Sequence, residues 1–292
     1  MKFGRFRKDD IVKSGLIIEE KLYFFQDIFG INTDLKDFVE KFNEENIKII
    51  NEKIKVIAYF SPEDYEVLAP FSEPRRNVIC LGKNYLDHVN ECGTGGIDKD
   101  LGRPKEPIFF TKMINKFVEP QGDILYDKQV TDSFDYEGEL AVIIGKEGKN
   151  IKSNEVYSYI FGYTIINDSS ARDLQKKHSQ WFKGKSIDDT CSFGPYILYK
   201  EELSYPPQLN LCTYVNGELR QKGNTRDFIF DLAYSISEFS KGTTLKPGDI
   251  IATGTPQGVG MGFTPPKFLK NNDILKIEIE KIGVLENKIV EI

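Results

Sequence analysis

The chain has 292 residues, 40% of them apolar and 29% charged, and 39 basic against 45 acidic residues leave a net charge of −6. That length suits one large domain or two modest ones with a sizeable core. The acidic balance argues against a nucleic-acid partner held by phosphate neutralisation. With no apolar run of about 18 residues there is no expected membrane span, and the basic start MKFGRFRKDD lacks the apolar segment of a secretory leader, so a cytoplasmic location is expected.

Taken in chain order, the first 71 residues read as a small α/β unit. The runs GLIIEE and IKVIAYF look like strands around one helix, DLKDFVEKFNEENIKII, in which Leu35, Phe38, Val39 and Phe42 recur at helical spacing. Pro62, Pro70 and Pro74 then punctuate the chain and place a boundary near residue 72. Residues 72–292 carry many short β-branched runs: NVICLG, PIFFTK, ELAVIIG, IFGYTIIND, GPYILY, LNLCTYVN, DIIATGT and ILKIEIE. Helical stretches are fewer: SNEVYSYI, Ser170 to about His178, and DFIFDLAYSISEFSK. The expected class is α+β and β-rich, without regular βαβ alternation. Asn216-Gly217 predicts a two-residue hairpin turn, and Pro247-Gly248 a turn feeding the strand IIATGT.

Few residues can carry the chemistry. Cys80, Cys92, Cys191 and Cys212 lack metal-finger spacing and are expected as free thiols. With only His88 and His178 available, a metal must sit mainly on carboxylates, which favour Mg²⁺, Mn²⁺ or Ca²⁺. In DYEGELAVIIG, Glu137 and Glu139 are two apart at the start of an apolar strand and project from one face. Like charges so placed call for a cation or a proton, or else mark a solvated strand entrance with incidental acids, and Gly138 between them permits close backbone approach. Asp168 ends another apolar strand and is either a third acidic ligand or the cap of the helix that follows. Asp135 shares the parity of Glu137 and rivals it. His88 and Glu91, three apart on a helical turn, can form a proton-transfer pair, or be a surface histidine and its neighbour. Gly93, Gly95 and Gly96 after them suit a segment that opens and closes over a site. Lys183 and Lys185 follow the only tryptophan, Trp181, and either could steady an anion or remain a solvated loop charge. The loop TGTPQGVGMG has neither phosphate-loop nor dinucleotide spacing, yet its N–H groups and the Thr255 hydroxyl could cradle a carboxylate. His178 reads as an exposed helical residue.

In this order, LGKNYLDHVNE, PIFFTK, DYEGELAVIIG, GYTIINDSSARDLQ, QWFKGKSID, CTYVNGELRQ, PGDIIATGTPQGVG and DILKIEIEKIGVLENKIV resemble the fumarylacetoacetate hydrolase family over roughly residues 77–290. The segment that starts at PPKFLK is most similar to the branch of fumarylacetoacetate hydrolase domain-containing protein 2. The resemblance implies a β-rich roll of mixed sheets in a sandwich, with a small N-terminal domain over 1–71, a catalytic domain over 72–292 and a homodimeric assembly. It implies Glu137, Glu139 and Asp168 as ligands of Mg²⁺, with Mn²⁺ or Ca²⁺ as substitutes. His88 and Glu91 match the family's general-base dyad, and Lys185 completes the catalytic set. Arg172, Gln175 and Thr255 match positions that hold substrate.

The function so implied is a Mg²⁺-dependent enzyme of small 2-oxo acids that hydrolyses or decarboxylates at a carbon–carbon bond. The alternative is an enol–keto tautomerase or isomerase of oxaloacetate-like or dienedioate-like diacids. A different class, a non-catalytic small-molecule-binding module, is disfavoured because every matched polar position is present. No nucleic-acid or membrane partner is expected.

Overall fold

Two kinds of strand sequence build two kinds of sheet. Near-continuous apolar runs, such as GELAVII and IFGYTIIN, are buried along their whole length and lie mid-sheet, covered on both faces. Alternating runs such as ILKIEI bury every second residue and leave one face to solvent. The computed structural model describes residues 1–94 and 103–292. In chain order its strands are β1 (Lys2–Lys8), β2 (Ile11–Ile18), β3 (Lys21–Phe24), β4 (Glu66–Leu68), β5 (Val78–Gly82), β6 (Ile108–Lys112), β7 (Asp123–Tyr126), β8 (Phe134–Asp135) and β9 (Gly138–Ile144). They continue as β10 (Ile160–Asn167), β11 (Ser170–Ala171), β12 (Phe193–Tyr199), β13 (Asn210–Val215), β14 (Glu218–Asn224), β15 (Ile250–Ala252), β16 (Ile274–Ile279) and β17 (Gly283–Glu291).

The large mixed sheet runs β3-β2-β1-β12-β10-β9-β15-β5-β6, with β4 also paired to β1. Its pairs are antiparallel except β15 with β5. The second sheet runs β14-β13-β16-β17-β7 and packs on one face of β9 and β10. Leu140, Val142, Ile144 and Ile165 share that interface core with Leu211, Ile277, Ile279 and Leu285. On the opposite face Ala141, Ile143 and Ile166 join a core with Phe3, Phe25, Phe38 and Phe161. The expected α+β fold of mixed sheets is the observed one.

Residues 1–71 contribute β1–β4 and helices over Phe25–Phe29, Leu35–Lys41 and Glu44–Lys53. Strand β1 pairs β12 through Lys2↔Leu198 and Phe3↔Ile197, so the sheet continues across residue 72. The one expected helix is two: Asn43 interrupts it and closes a capping box with Asn46 at the start of the second. The expected strand IKVIAYF is absent. Ile54 caps the helix and the next residues form turns bonded back to Lys53, leaving only Phe60 bridged to Leu22. Ile47, Ile50, Ile54 and Ile57 pack on one core at helical intervals, while Val56 is exposed, so the 3.6-residue period wins over β-branched composition.

Both predicted turns form. Asn216 and Gly217 take φ of 53° and 79° between β13 and β14, the mirror-image turn that Asn-Gly favours. Gly248 takes φ of 84° after Pro247, and Asp249 N–H donates to Lys246 O, closing a type II turn before β15. Cys80, Cys191 and Cys212 are free thiols. The side chain of Cys92 and residues Gly95 and Gly96 lie outside the described residues. Gly93 falls within the helix over Leu86–Thr94. Among the described residues, no helix is long and apolar enough to cross a membrane.

Candidate active site

Antiparallel register assembles the acids. Gly138 on β9 faces Asn167 on β10, and Asp168 N–H donates to Glu137 O, so Asp168 stands directly opposite Glu137. Glu139 follows two residues on, on the same face. The ligand oxygens of Glu137, Glu139 and Asp168 lie within 4.8 Å of one another, and all three residues are buried. Gly138 points the other way, into the second sheet, where a Cβ would stand 2.5 Å from Thr213 Oγ1 and 3.0 Å from Ile277 Cγ2.

Lys185, Arg172 and Lys112 face this cluster. Lys185 Nζ lies 2.6 Å from Glu137 Oε2 and 2.7 Å from Asp168 Oδ2. Arg172 Nη1 lies 2.7 Å from Glu137 Oε1 and donates to Gln175 Oε1 at 3.1 Å. Lys112, fully buried at the end of β6, donates to Ser169 O at 2.8 Å behind Asp168. Burial pushes the Glu139 carboxyl up, and Asp168 and Glu137 push it further, well above the usual carboxylate range. Glu137 meets the same burial, but Lys185 and Arg172, helped by His88, outweigh it and hold its carboxyl at about 2. Burial opposes the Lys185 charge, yet Asp168 and Glu137 win and raise its ammonium above the usual lysine range.

These residues fit a divalent cation. The donors are all carboxylate oxygens, the set that hard cations choose. Among the described residues no group donates a hydrogen bond to the buried Asp168 Oδ1, with Lys112 Nζ 3.3 Å away outside hydrogen-bond geometry. A buried carboxylate oxygen without a donor is costly unless a ligand takes it. Asp168 is no helix cap: Ser170–Ala171 is strand, paired to β8, and the helix begins only at Arg172. That corrects the expected helix start at Ser170. Asp135 is likewise no rival ligand, because Arg172 Nε and the N–H groups of Tyr136, Gly260 and Met261 occupy its oxygens.

Glu137 and Glu139 line a pocket with Leu81, Gly82, Lys83, His88, Phe110, Arg172, Gln175, Trp181, Lys185, Thr255 and Met261. His88 and Glu91 sit on the helix over Leu86–Thr94, with Nδ1 and Oε2 3.3 Å apart. His88 is buried, not a surface histidine. Trp181 packs edge-on to Phe110 and lies across Gly82, where a Cβ would collide with its ring. Lys185 Nζ lies 5.3 Å from the Phe110 ring centre, a cation–π distance. Lys183 and His178 are exposed.

The glycine-rich loop after β15 holds the protein's own carboxylates. Gly254 N–H donates to Glu139 Oε2, Gly258 N–H to both oxygens of Glu91, and Gly260 N–H to Asp135. The Thr255 hydroxyl donates to Gly138 O and accepts from Gln221 Nε2. Glycine is required here. Gly258 has φ of 100°, and a Cβ on it would strike Arg220 O; one on Gly262 would strike the Glu91 carboxyl.

Sequence reasoning missed Lys83, Lys112 and Gln221. Lys83 is buried at the pocket with φ of 55°, a left-handed conformation uncommon for a long side chain and frequent at functional sites. Lys112 and Gln221 sit on strands whose composition carries no chemical signal, and only tertiary pairing brings them near the acids.

Residues 77–290 match the family model for the fumarylacetoacetate hydrolase C-terminal domain. The chain belongs to the fumarylacetoacetate hydrolase family. It is 49% identical over 231 residues to oxaloacetate tautomerase YisK of Bacillus subtilis (strain 168), covering 79% of this chain and 75% of that protein. The fumarylacetoacetate hydrolase structure from psychrophilic Exiguobacterium antarcticum superposes with a TM-score of 0.85 at 38% identity, covering both chains completely. A maleylpyruvate hydrolase from Sphingobium sp. SYK-6, in complex with manganese(II) and pyruvate, gives a TM-score of 0.79 at 25% identity, covering 100% of this chain and 99% of that one.

Proposed function

We propose that this family member is a divalent-cation-dependent enzyme of small 2-oxo acids, moving a proton at the carbon beside the oxo group in an enol–keto conversion. The observation that carries the reading is one pocket lined by Glu137, Glu139, Lys185 and His88, with Asp168 beside the two glutamates and Glu91 beside His88. The 49% identity to an oxaloacetate tautomerase supports the reaction type, and the manganese(II) and pyruvate of the maleylpyruvate hydrolase structure support the cofactor and substrate class.

Glu137, Glu139 and Asp168 would hold the cation, Mg²⁺ or Mn²⁺. When bound, a divalent cation supplies Lewis acidity, polarising a carbonyl oxygen and acidifying the adjacent C–H. The protein's own groups do the rest. Glu91, fixed by the Gly258 N–H, faces Nδ1 of His88 and orients the imidazole that would remove or return the proton. Lys185 presents fixed positive charge toward a developing oxyanion. Arg172, steadied at Nε by Asp135, offers its guanidinium plane to a substrate carboxylate together with Gln175. Phe110 and Trp181 wall off water.

A second reading is carbon–carbon hydrolysis or decarboxylation, favoured by the same dyad, since a histidine held by a carboxylate can equally activate water. A proton NMR time course in heavy water separates the readings, using oxaloacetate and a short acylpyruvate with Mg²⁺ and a chelated control. The tautomerase reading predicts cation-dependent deuterium exchange without cleavage. Release of a carboxylic acid from the acylpyruvate would instead establish hydrolysis, and pyruvate from oxaloacetate decarboxylation.

A further inference from the structure

We propose that Gln221 is a positioning residue for the carboxylate triad, acting from the second sheet through a closed ring of hydrogen bonds with Gly138 and Thr255. The proposal rests on the reading that the triad holds a divalent cation. Gln221 is on β14 and fully buried. Its Oε1 accepts Gly138 N–H at 3.0 Å, while its Nε2 donates to Thr255 Oγ1 at 2.7 Å and to Pro256 O at 2.9 Å. Thr255 Oγ1 in turn donates to Gly138 O at 3.0 Å. The amide direction is not a free choice. Gly138 N–H can only donate and Pro256 O can only accept, so Oε1 must face the one and Nε2 the other.

The ring grips both polar groups of Gly138, the residue between Glu137 and Glu139. Turning either peptide plane of Gly138 would swing one of those glutamates off the shared face, because successive strand residues point to opposite sides. Gly138 lacks the Cβ that would meet Thr213, which is what lets the second sheet and Gln221 come this close. The ring also commits Thr255. Its single proton goes to Gly138 O and one lone pair to Gln221, so it meets a ligand in the pocket as an acceptor, suited to an enol O–H more than to a carboxylate.

The test is calorimetric titration of Mn²⁺ into the chelator-stripped full-length protein, for wild type, Gln221→Leu, Thr255→Val and Thr255→Ser. Outer residues that orient metal ligands are typically worth 10–100-fold in affinity. Gln221→Leu and Thr255→Val should therefore weaken Mn²⁺ binding by roughly that factor, and Thr255→Ser, which keeps the hydroxyl, should stay within about threefold of wild type. A folded Gln221→Leu protein that binds Mn²⁺ like wild type overturns the proposal, as does Thr255→Ser binding as weakly as Thr255→Val. If Gln221→Leu does not fold, the near-isosteric valine and serine variants decide alone. A wild type that takes up no Mn²⁺ overturns the cation reading and this proposal with it, whereas tight wild-type binding with unaltered variants overturns only the role of Gln221.

Discussion

Three buried carboxylates with oxygens within 4.8 Å cannot all stay charged without compensation, and Lys185 and Arg172 serve Glu137 far better than Glu139. Glu139, raised by burial, Asp168 and Glu137, is the group on which a proton and a cation compete. The proton binds the cation-free form, so affinity should fall as pH falls through the raised Glu139 value, and binding at a pH where Glu139 is protonated should release protons. Calorimetry of Mn²⁺ binding in two buffers of different ionisation enthalpy checks this; buffer-independent heats would refute it. Glu137 works in the opposite sense. Its carboxyl is lowered from 4.5 to about 2, so its contribution to stability is present above pH 4.5 and is lost as pH falls through 2. Glu139→Gln should remove cation-dependent turnover, with Mn²⁺ affinity reduced at least about 100-fold and a retained circular dichroism spectrum. His88→Asn should leave Mn²⁺ affinity intact and slow proton transfer by about 10²–10⁴-fold, the usual worth of a general base. Lowered Mn²⁺ affinity in that variant would assign His88 to the cation instead.

At the scale of elements, the site is a crossing of two strand ends and one loop. The parity of Glu137 and Glu139 was legible in sequence because strand alternation is a period of two, and the facing position of Asp168 follows from an antiparallel ladder with that register. The rivalry of Asp135 and the capping role of Asp168 could not be decided there, since both depend on where the helix carrying Arg172 begins. From its sequence, the loop after β15 suits a cradle for a ligand carboxylate. In the structure its N–H groups serve Glu139, Glu91 and Asp135, long-range partners that no local pattern announces. Lys112 and Gln221 are hidden for the same reason. Gly138→Ala tests the element-level account: its Cβ would stand 2.5 Å from Thr213 Oγ1, so the sheets must part. The expected cost is about 1–3 kcal/mol, as for other overpacked cores, read as a lowered denaturant midpoint together with weaker Mn²⁺ binding. A variant as stable as wild type would show that the sheets give way freely.

On the scale of the whole molecule, residues 1–71 form the proposed small N-terminal domain, yet their core is shared with the rest of the chain. Phe3 lies 5.1 Å from Phe161 and 6.1 Å from Tyr199, and Phe42 packs edge-on against both, ring centre to ring centre. Deleting residues 1–71 would strip one face of β10 and β12 and leave β12 as an open edge. The remaining 72–292 fragment should therefore aggregate or lose its cooperative thermal transition; a soluble fragment with wild-type turnover would make the N-terminal unit dispensable. The sandwich itself was legible through its family motifs, whereas the sheet's passage across residue 72 was not, because β1 has no turn or motif that marks its partner. In the proposed function, this fold presents a cation-holding triad to an enolisable 2-oxo acid. Its most direct test follows the absorbance of enol-oxaloacetate decaying to the keto form, with chelator-stripped protein before and after Mg²⁺ is restored, against Mg²⁺ alone. The stripped protein should show decay at the background rate, with a large acceleration once Mg²⁺ returns; full activity in the stripped protein, or none after Mg²⁺ is restored, would refute the proposed function.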